Sequence, residues 1–364
     1  MTTTEILKQR LGNQWLTGSA AKSPAQVVGQ LLAVQAQDYL GALWAIGQRL
    51  PGSDESSVEQ ALNNGSVIRT WPMRGTLHFV AACDAHWLVG FLAKRVLSKT
   101  KSIYRNAGID DATLRKSTKV VTKALEKESM LTRDEVYERL ERAGISTGNT
   151  RGLHITGYLA IQGLTCFGPR KGKQHTFVLM DEWLRVAPRH TPDDPASTLA
   201  LRYFTGHGPA TLHDFAWWSG LTITEAKRAI DATGGTLSST KVGDNVYYTV
   251  EAETVSSGSG KKATKNSSAH LLPAFDEYTV AYKDRTLALS RGQSHRNSME
   301  VLSPVMSING ILAGTWNRTL SKNSVQIQFK PFAPLSSSQL SKISSSARKY
   351  ARFVGSNKAI IAGA

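Results

Sequence analysis

One order of elements recurs along this chain: helices, then two short strands closed by a tight turn. The middle of the sequence states it most plainly. Residues 111–127 place Leu114, Val121 and Leu125 on one helical stripe. Thr132-Arg133-Asp134-Glu135 is a capping box that opens a helix to about Ala143, and Gly144 ends it. A third helix is predicted over 150–162, stopped by Gly163. Strands over 164–168 and 175–180 follow, flanking Pro169-Arg170-Lys171-Gly172-Lys173-Gln174. Three helices and a hairpin with a basic tip is the order of a winged helix.

The order returns twice. Asp194-Pro195 starts a helix to about Thr205, closed by Gly206. Thr211 caps a helix to Ser219, and Thr222-Ile223-Thr224-Glu225 boxes another to about Thr233. Strands over 235–240 and 245–250 flank the turn Val242-Gly243-Asp244. At the front, helices are predicted over 24–34, 39–50 (capped by Asp38) and 57–63, with strands over 67–70 and 76–80. Residues 256–268 (SSGSGKKATKNSS) have linker composition. Beyond them, alternation over 311–316 and 324–329 predicts a small sheet or barrel, and 336–352 a Ser/Lys-rich helix. The expected fold class is therefore α+β, with three tandem winged-helix units and a small C-terminal β-barrel. The boundaries are 1–105, 106–190 and 191–255 for the winged helices and 256–364 for linker, basic barrel and terminal helix.

Charge indicates the partner. The net formal charge is +16, and residues 256–364 carry 15 Lys/Arg against 4 Asp/Glu, so +11 of it is concentrated there. Such a field captures polyanions, and nucleic acid is the expected partner. No basic amphipathic helix suggests a membrane surface, and no apolar run reaches the ~18 residues of a membrane span. The first residues lack the apolar core of a secretory signal. Cys83 and Cys166 form neither a metal-ligand spacing nor a disulfide framework. A cytoplasmic, nucleoid-associated protein, monomeric and without metal or organic cofactor, is expected.

The triplet Gln35-Ala36-Gln37 falls between two predicted helices. On a helix, residues two apart diverge; in an extended segment they converge. Two converging amides offer acceptors and donors enough to hold and aim one water. Taken alone the triplet is a weak signal, and composition favours two solvated or helix-capping glutamines. Arg74, Thr76 and His78 alternate along a predicted strand and face one way. They are candidate active-site lining; a buried structural histidine and a surface ion pair are the competing readings. Asp276, at the end of an apolar run, is a further lining candidate or a structural turn cap. Trp217-Trp218 falls inside a predicted helix and reads as packing.

Leu31-Leu32-Ala33-Val34-Gln35-Ala36-Gln37-Asp38-Tyr39 resembles the Gln-apolar-Gln motif of the AlkZ-like family of bacterial DNA glycosylases. Three further blocks agree in order: Arg69-Thr70-Trp71-Pro72-Met73-Arg74-Gly75-Thr76-Leu77-His78, Leu271-Leu272-Pro273-Ala274-Phe275-Asp276-Glu277-Tyr278, and Gly310-Ile311-Leu312-Ala313-Gly314-Thr315-Trp316. The resemblance implies three tandem winged helices and a β-barrel, C-shaped overall around double-stranded DNA that contains alkylated or crosslinked bases. It implies hydrolysis of the N-glycosidic bond of cationic N7-alkylated purines, extending to the unhooking of interstrand crosslinks. Gln35 and Gln37 then position the water and stabilise the oxocarbenium sugar. Glutamine at the second motif position places the chain nearer the AlkZ branch than the YcaQ branch, whose members carry an acidic residue there.

Such a substrate makes the chemistry tractable for neutral amides. N7-alkylguanine is cationic before it leaves and neutral afterwards, so it needs no strong general acid. A placed water and local negative potential are what remain to be supplied. No lysine is placed as a Schiff-base nucleophile, so a monofunctional enzyme is expected. Arg170, Lys171 and Lys173 at the central hairpin tip, with Arg291, His295 and Arg296 in a Gly/Ser-rich stretch, are the expected DNA-gripping residues. The alternatives are a non-catalytic winged-helix transcriptional regulator and a hydrolase of another substrate on the same fold. No dimerisation helix for a palindromic site is visible, and a simple repressor has no role for the basic C-terminal part.

Overall fold

The computed structural model describes residues 1–250, 268–290, 298–321, 324–356 and 358–363. The linker composition at 256–267 and the residues Arg291, His295 and Arg296 lie outside them. The chain packs into two units. One comprises residues 35–37 and 59–195; the other comprises 1–34, 38–58 and 196–364.

The unit of residues 35–37 and 59–195 is built on a six-stranded sheet. Its strands are β1 (Val34–Gln35), β2 (Val67–Met73), β3 (Thr76–Ala81), β4 (Leu131–Thr132), β5 (Thr165–Lys171) and β6 (Gln174–Leu179), in the order β1-β3-β2-β5-β6-β4. The sheet joins two hairpins, β2–β3 and β5–β6, through pairing of Arg69 with Phe167. Around it pack the helices Ala82–Asn106, Asp111–Glu128, Arg133–Arg142 and Arg151–Ile161. Leu114, Val121 and Leu125 point into the core, as their spacing predicts, beside Val136, Leu140, Ile155 and Leu159. Thr132 and Glu135 close the reciprocal capping box. The β2–β3 hairpin turns on Arg74 and Gly75, both at positive φ (54° and 76°). That is the signature of a type I′ turn, which suits the twist of paired strands.

Several features differ from the sequence-based expectation. The 25-residue helix Ala82–Asn106 has no side-chain N-cap, and the sequence reading assigns no element there. The helix Thr3–Asn13 does carry a readable capping box, Thr2 with Glu5, and is likewise unassigned. The strands of the central hairpin run further than expected, to Lys171 and from Gln174, because an irregularity between Gly168 and Lys171 accommodates Pro169 within the ladder.

In the other unit, β7 (Ala210–Thr211), β8 (Leu237–Val242) and β9 (Asn245–Val250) form a three-stranded sheet in the order β7-β9-β8. The helices Pro195–His207, Leu212–Ser219 and Ile223–Asp231 precede its hairpin. The first of these continues through Gly206 to His207. A second sheet runs β10 (Ala269–Leu272), β11 (Val305–Ile308), β12 (Ile311–Leu320), β13 (Ser324–Pro331) and β14 (Lys358–Ala362) in chain order. Where a small barrel was expected, this sheet is an open half-barrel. Strand β14 returns parallel to β13 after the helix Ser337–Phe353, so β10 and β14 remain edges. That helix lies on the sheet through Tyr350, which meets Trp316 edge-on at 5.4 Å. The early helix Tyr39–Gly47 joins the same core: Trp44 Nε1 donates to the Leu271 carbonyl at 2.6 Å. A Cβ on Gly47 would fall within the Phe353 ring, so only glycine permits this approach.

Candidate functional site

Gln35 lies on β1, and Ala36 continues the pairing with its N–H donating to the Leu77 carbonyl at 2.7 Å. The motif is thus extended at the sheet edge, not helical, because the helix Pro24–Leu31 ends at Leu32 with positive φ and the next helix begins only after the Asp38 cap. Extension puts Gln35 and Gln37 on one side of the strand. Gln35 is buried and Gln37 exposed.

Both amides are located by donors. Gln35 Oε1 accepts from Arg74 Nη2 at 3.1 Å. Gln37 Oε1 accepts from the Leu77 N–H at 3.2 Å. Arg74 Nη2 also lies 3.2 Å from His78 Nε2, and His78 Nδ1 lies 3.0 Å from the Thr76 carbonyl. A carbonyl can only accept and a guanidinium can only donate. His78 therefore carries its proton on Nδ1 and accepts on Nε2, as a neutral imidazole.

Of the lining residues expected from sequence, Arg74, Thr76 and His78 come together with the motif. Arg74 occupies the hairpin turn rather than the strand, since Gly75 at the next position makes the turn there; its side chain reaches back to His78. His78 is fully buried, and the Thr76 hydroxyl is buried without a hydrogen-bond partner. Asp276 belongs to the other unit. Its two carboxylate oxygens accept from Arg49 at 2.7 and 2.8 Å, one of them also from Gln48 at 3.1 Å, and both ion-pair side chains are completely buried. It also caps the helix Glu277–Val280 by accepting from the Tyr278 N–H. These contacts are those of a structural ion pair and cap.

Arg69 also touches the candidate site, and sequence reading gives it no role. Its Nε and Nη2 donate to the Ala36 carbonyl at 3.1 and 2.7 Å, and its Nη1 lies 3.1 Å from His175 Nε2. Its guanidinium also sits 5.1 Å from the Phe167 ring centre. A charged residue inside the apolar strand Val67–Met73 was the available signal: a buried arginine must find acceptors. Burial and the charges of Arg69 and Arg170 push His175 down to about 4.

At the central hairpin tip, Arg170 donates to Glu59 at 2.7 Å and Lys171 to Glu135 at 3.3 Å. Lys171 and Lys173 are exposed. Trp218 is fully buried and donates from Nε1 to Glu277 at 2.9 Å, whereas Trp217 is 44% exposed. Among the described residues no cluster of His, Cys, Asp or Glu could hold a metal ion, and no helix is long and apolar enough to cross a membrane.

The chain is 26% identical, over 86% of either length, to an interstrand DNA cross-link repair glycosylase of Streptomyces sahachiroi. The solved structure of Streptomyces sahachiroi DNA glycosylase AlkZ matches the whole of both chains with a TM-score of 0.80 at 23% identity, a likeness of fold. The family model described as DNA glycosylase AlkZ-like matches residues 28–353, the motif included. The chain therefore belongs to the AlkZ-like family of DNA glycosylases.

Proposed function

We propose that this protein is a monofunctional DNA glycosylase that hydrolyses the N-glycosidic bond of cationic N7-alkylated purines, including those in interstrand crosslinks. The observation that carries the reading is the paired setting of Gln35 and Gln37: two amides, two residues apart on an extended edge, each with its oxygen located by a donor. Amide oxygens so fixed can accept from one water and orient it without reorganising during the reaction.

The water oxygen bonds to C1′ of the sugar as the C1′–N9 bond breaks. The bonding pair goes to the purine and neutralises its N7 cation, and the water's proton passes to solvent. No acid is needed at the leaving group. Arg74 is positively charged beside Gln35, so the negative potential for the oxocarbenium comes from the amide oxygens and the DNA phosphates. The relative's name, which refers to cross-link repair, favours crosslinks as substrates. The three helix-and-hairpin segments at 1–105, 106–190 and 191–255 act as winged helices on duplex DNA. Arg170, Lys171 and Lys173 grip phosphates, Arg170 and Lys171 exchanging their carboxylate partners for the DNA backbone. The protein works as a monomer.

The test is single-turnover incubation with a duplex carrying one N7-methylguanine, and with a crosslinked duplex, followed by alkali. Wild type cleaves; Gln35→Ala/Gln37→Ala binds but does not. Salt-sensitive binding with no cleavage of either duplex by wild type would instead identify a non-catalytic DNA-binding protein.

A further inference from the structure

On the sheet face that carries Arg69, Trp71 and Leu77, a cleft of about 320 Å³ opens between the β5–β6 hairpin and the helices Arg133–Arg142 and Arg151–Ile161. Strand alternation puts this face opposite Thr70 and His78, which pair across β2 and β3. The cleft is therefore separate from the Gln35–Arg74–His78 cluster. Its volume is within the ~300–1,000 Å³ usual for small-molecule sites.

The walls are aromatic and the rim is basic. Phe167 stacks on Phe177 at 4.9 Å and meets Trp71 at 5.3 Å, giving a continuous ring surface. Tyr137 and Leu153 stand at the mouth, and Leu153 is 51% exposed. Arg133, 6.0 Å from the Tyr137 ring centre, and Lys173 supply positive charge. His175 contributes no charge at neutral pH, because burial and the charges of Arg69 and Arg170 hold it down. Among the described residues Asp134 is the one carboxylate lining it, and it lies 3.5 Å from Arg133 Nε.

Ring surfaces beside exposed cations are what a nucleotide needs: stacking for the base and cations for its phosphate. We propose that this cleft binds an unpaired nucleotide of the DNA substrate, distinct from the one that loses its base. The base packs against Tyr137, Leu153 and the aromatic wall, and the phosphate meets Arg133 and Lys173. Arg69 makes the site consequential, since the guanidinium that borders the cleft also holds the Ala36 carbonyl of the motif. An occupied cleft thus braces the backbone between Gln35 and Gln37. The proposal rests on the reading that the chain handles damaged DNA, and it adds the part of that substrate held away from the cut bond.

The experiment is a fluorescence titration with a duplex bearing one 2-aminopurine opposite an abasic-site analogue. Stacking quenches the probe. Wild type should quench it saturably. Tyr137→Ala and Leu153→Glu should weaken half-saturation about tenfold; Lys173→Ala should reduce the log–log salt slope by about one. Tyr137 packs on Gly152, so its removal could disturb folding, whereas Leu153 is exposed and its variant keeps the test decisive. Absence of quenching in wild type, or wild-type titrations from both Tyr137→Ala and Leu153→Glu, would overturn the proposal. Excision plays no part in this readout. Quenching without cleavage of N7-methylguanine would sink the glycosylase reading alone, and cleavage without quenching the cleft alone.

Discussion

Arg69 holds Ala36 by two hydrogen bonds from one guanidinium, at 3.1 and 2.7 Å, to a single carbonyl oxygen. That carbonyl belongs to the residue between the two motif glutamines, so the register of both amides depends on it. Lysine offers a point charge in place of a planar fork and cannot reproduce the grip. Arg69→Lys should therefore lower the single-turnover excision rate by about 10- to 100-fold, the scale of a displacement near 1 Å. Duplex affinity, measured by anisotropy, should change far less. An equal loss in both would mean that Arg69 contacts DNA rather than positioning the motif.

Gly75 sits at φ +76°, with no side chain within 4 Å of its Cβ position except Thr100. Space is therefore not the constraint; backbone conformation is. Gly75→Ala should cost about 1 kcal/mol in urea unfolding, the penalty of a left-handed L-residue. It should also displace Arg74, the other half of the turn, from Gln35. Excision should then fall in Gly75→Ala and in Arg74→Ala alike. A variant that is destabilised but fully active would uncouple the turn from the site.

Asp276 tests a different distinction. Asp276→Asn leaves the buried Arg49 guanidinium without its countercharge, and breaking a buried pair from one side costs about 3–5 kcal/mol. Denaturant midpoints should fall accordingly, while the excision rate per folded molecule stays at the wild-type level. A catalytic loss in a stable Asp276→Asn protein would return this carboxylate to the active site.

His270 on β10 is pushed down to about 3 by burial and by the nearby positive charges of Arg49 and Lys349, and its Nε2 has no hydrogen-bond partner. In the unfolded chain it titrates near 6.5. Between these values the unfolded state binds the extra proton, so stability falls as pH falls from about 6.5 toward 3. The contribution is complete above 6.5. His270→Leu should flatten this acid limb in a series of melting temperatures from pH 7 to 4. His175, also pushed down, adds a limb of the same sign that remains. An unchanged acid limb in His270→Leu would rule out this assignment.

Local signals made much of the architecture legible. The boxes Thr132–Glu135 and Thr222–Glu225 and the apolar stripe of Leu114, Val121 and Leu125 each depend on residues three to eleven positions apart. That range is short enough for sequence spacing to fix geometry. The helix Ala82–Asn106 escaped because its start carries no side-chain cap. Closure of the C-terminal sheet is not legible in the sequence, because it depends on which edges meet, and strand periodicity carries no information on that.

The sequence by itself determined the repeated helix-and-hairpin order, the basic C-terminal third and the Gln-Ala-Gln motif with its placement between two helices. Only the tertiary structure decided what those residues face. It put the motif on a sheet edge, gave Gln35 the Arg74 guanidinium from 39 positions away, and assigned Asp276 to Arg49 across 227 positions. The physical reason is desolvation. A buried guanidinium or carboxylate must find partners wherever the fold brings them, and side chains this far apart in the chain meet only once the core has closed.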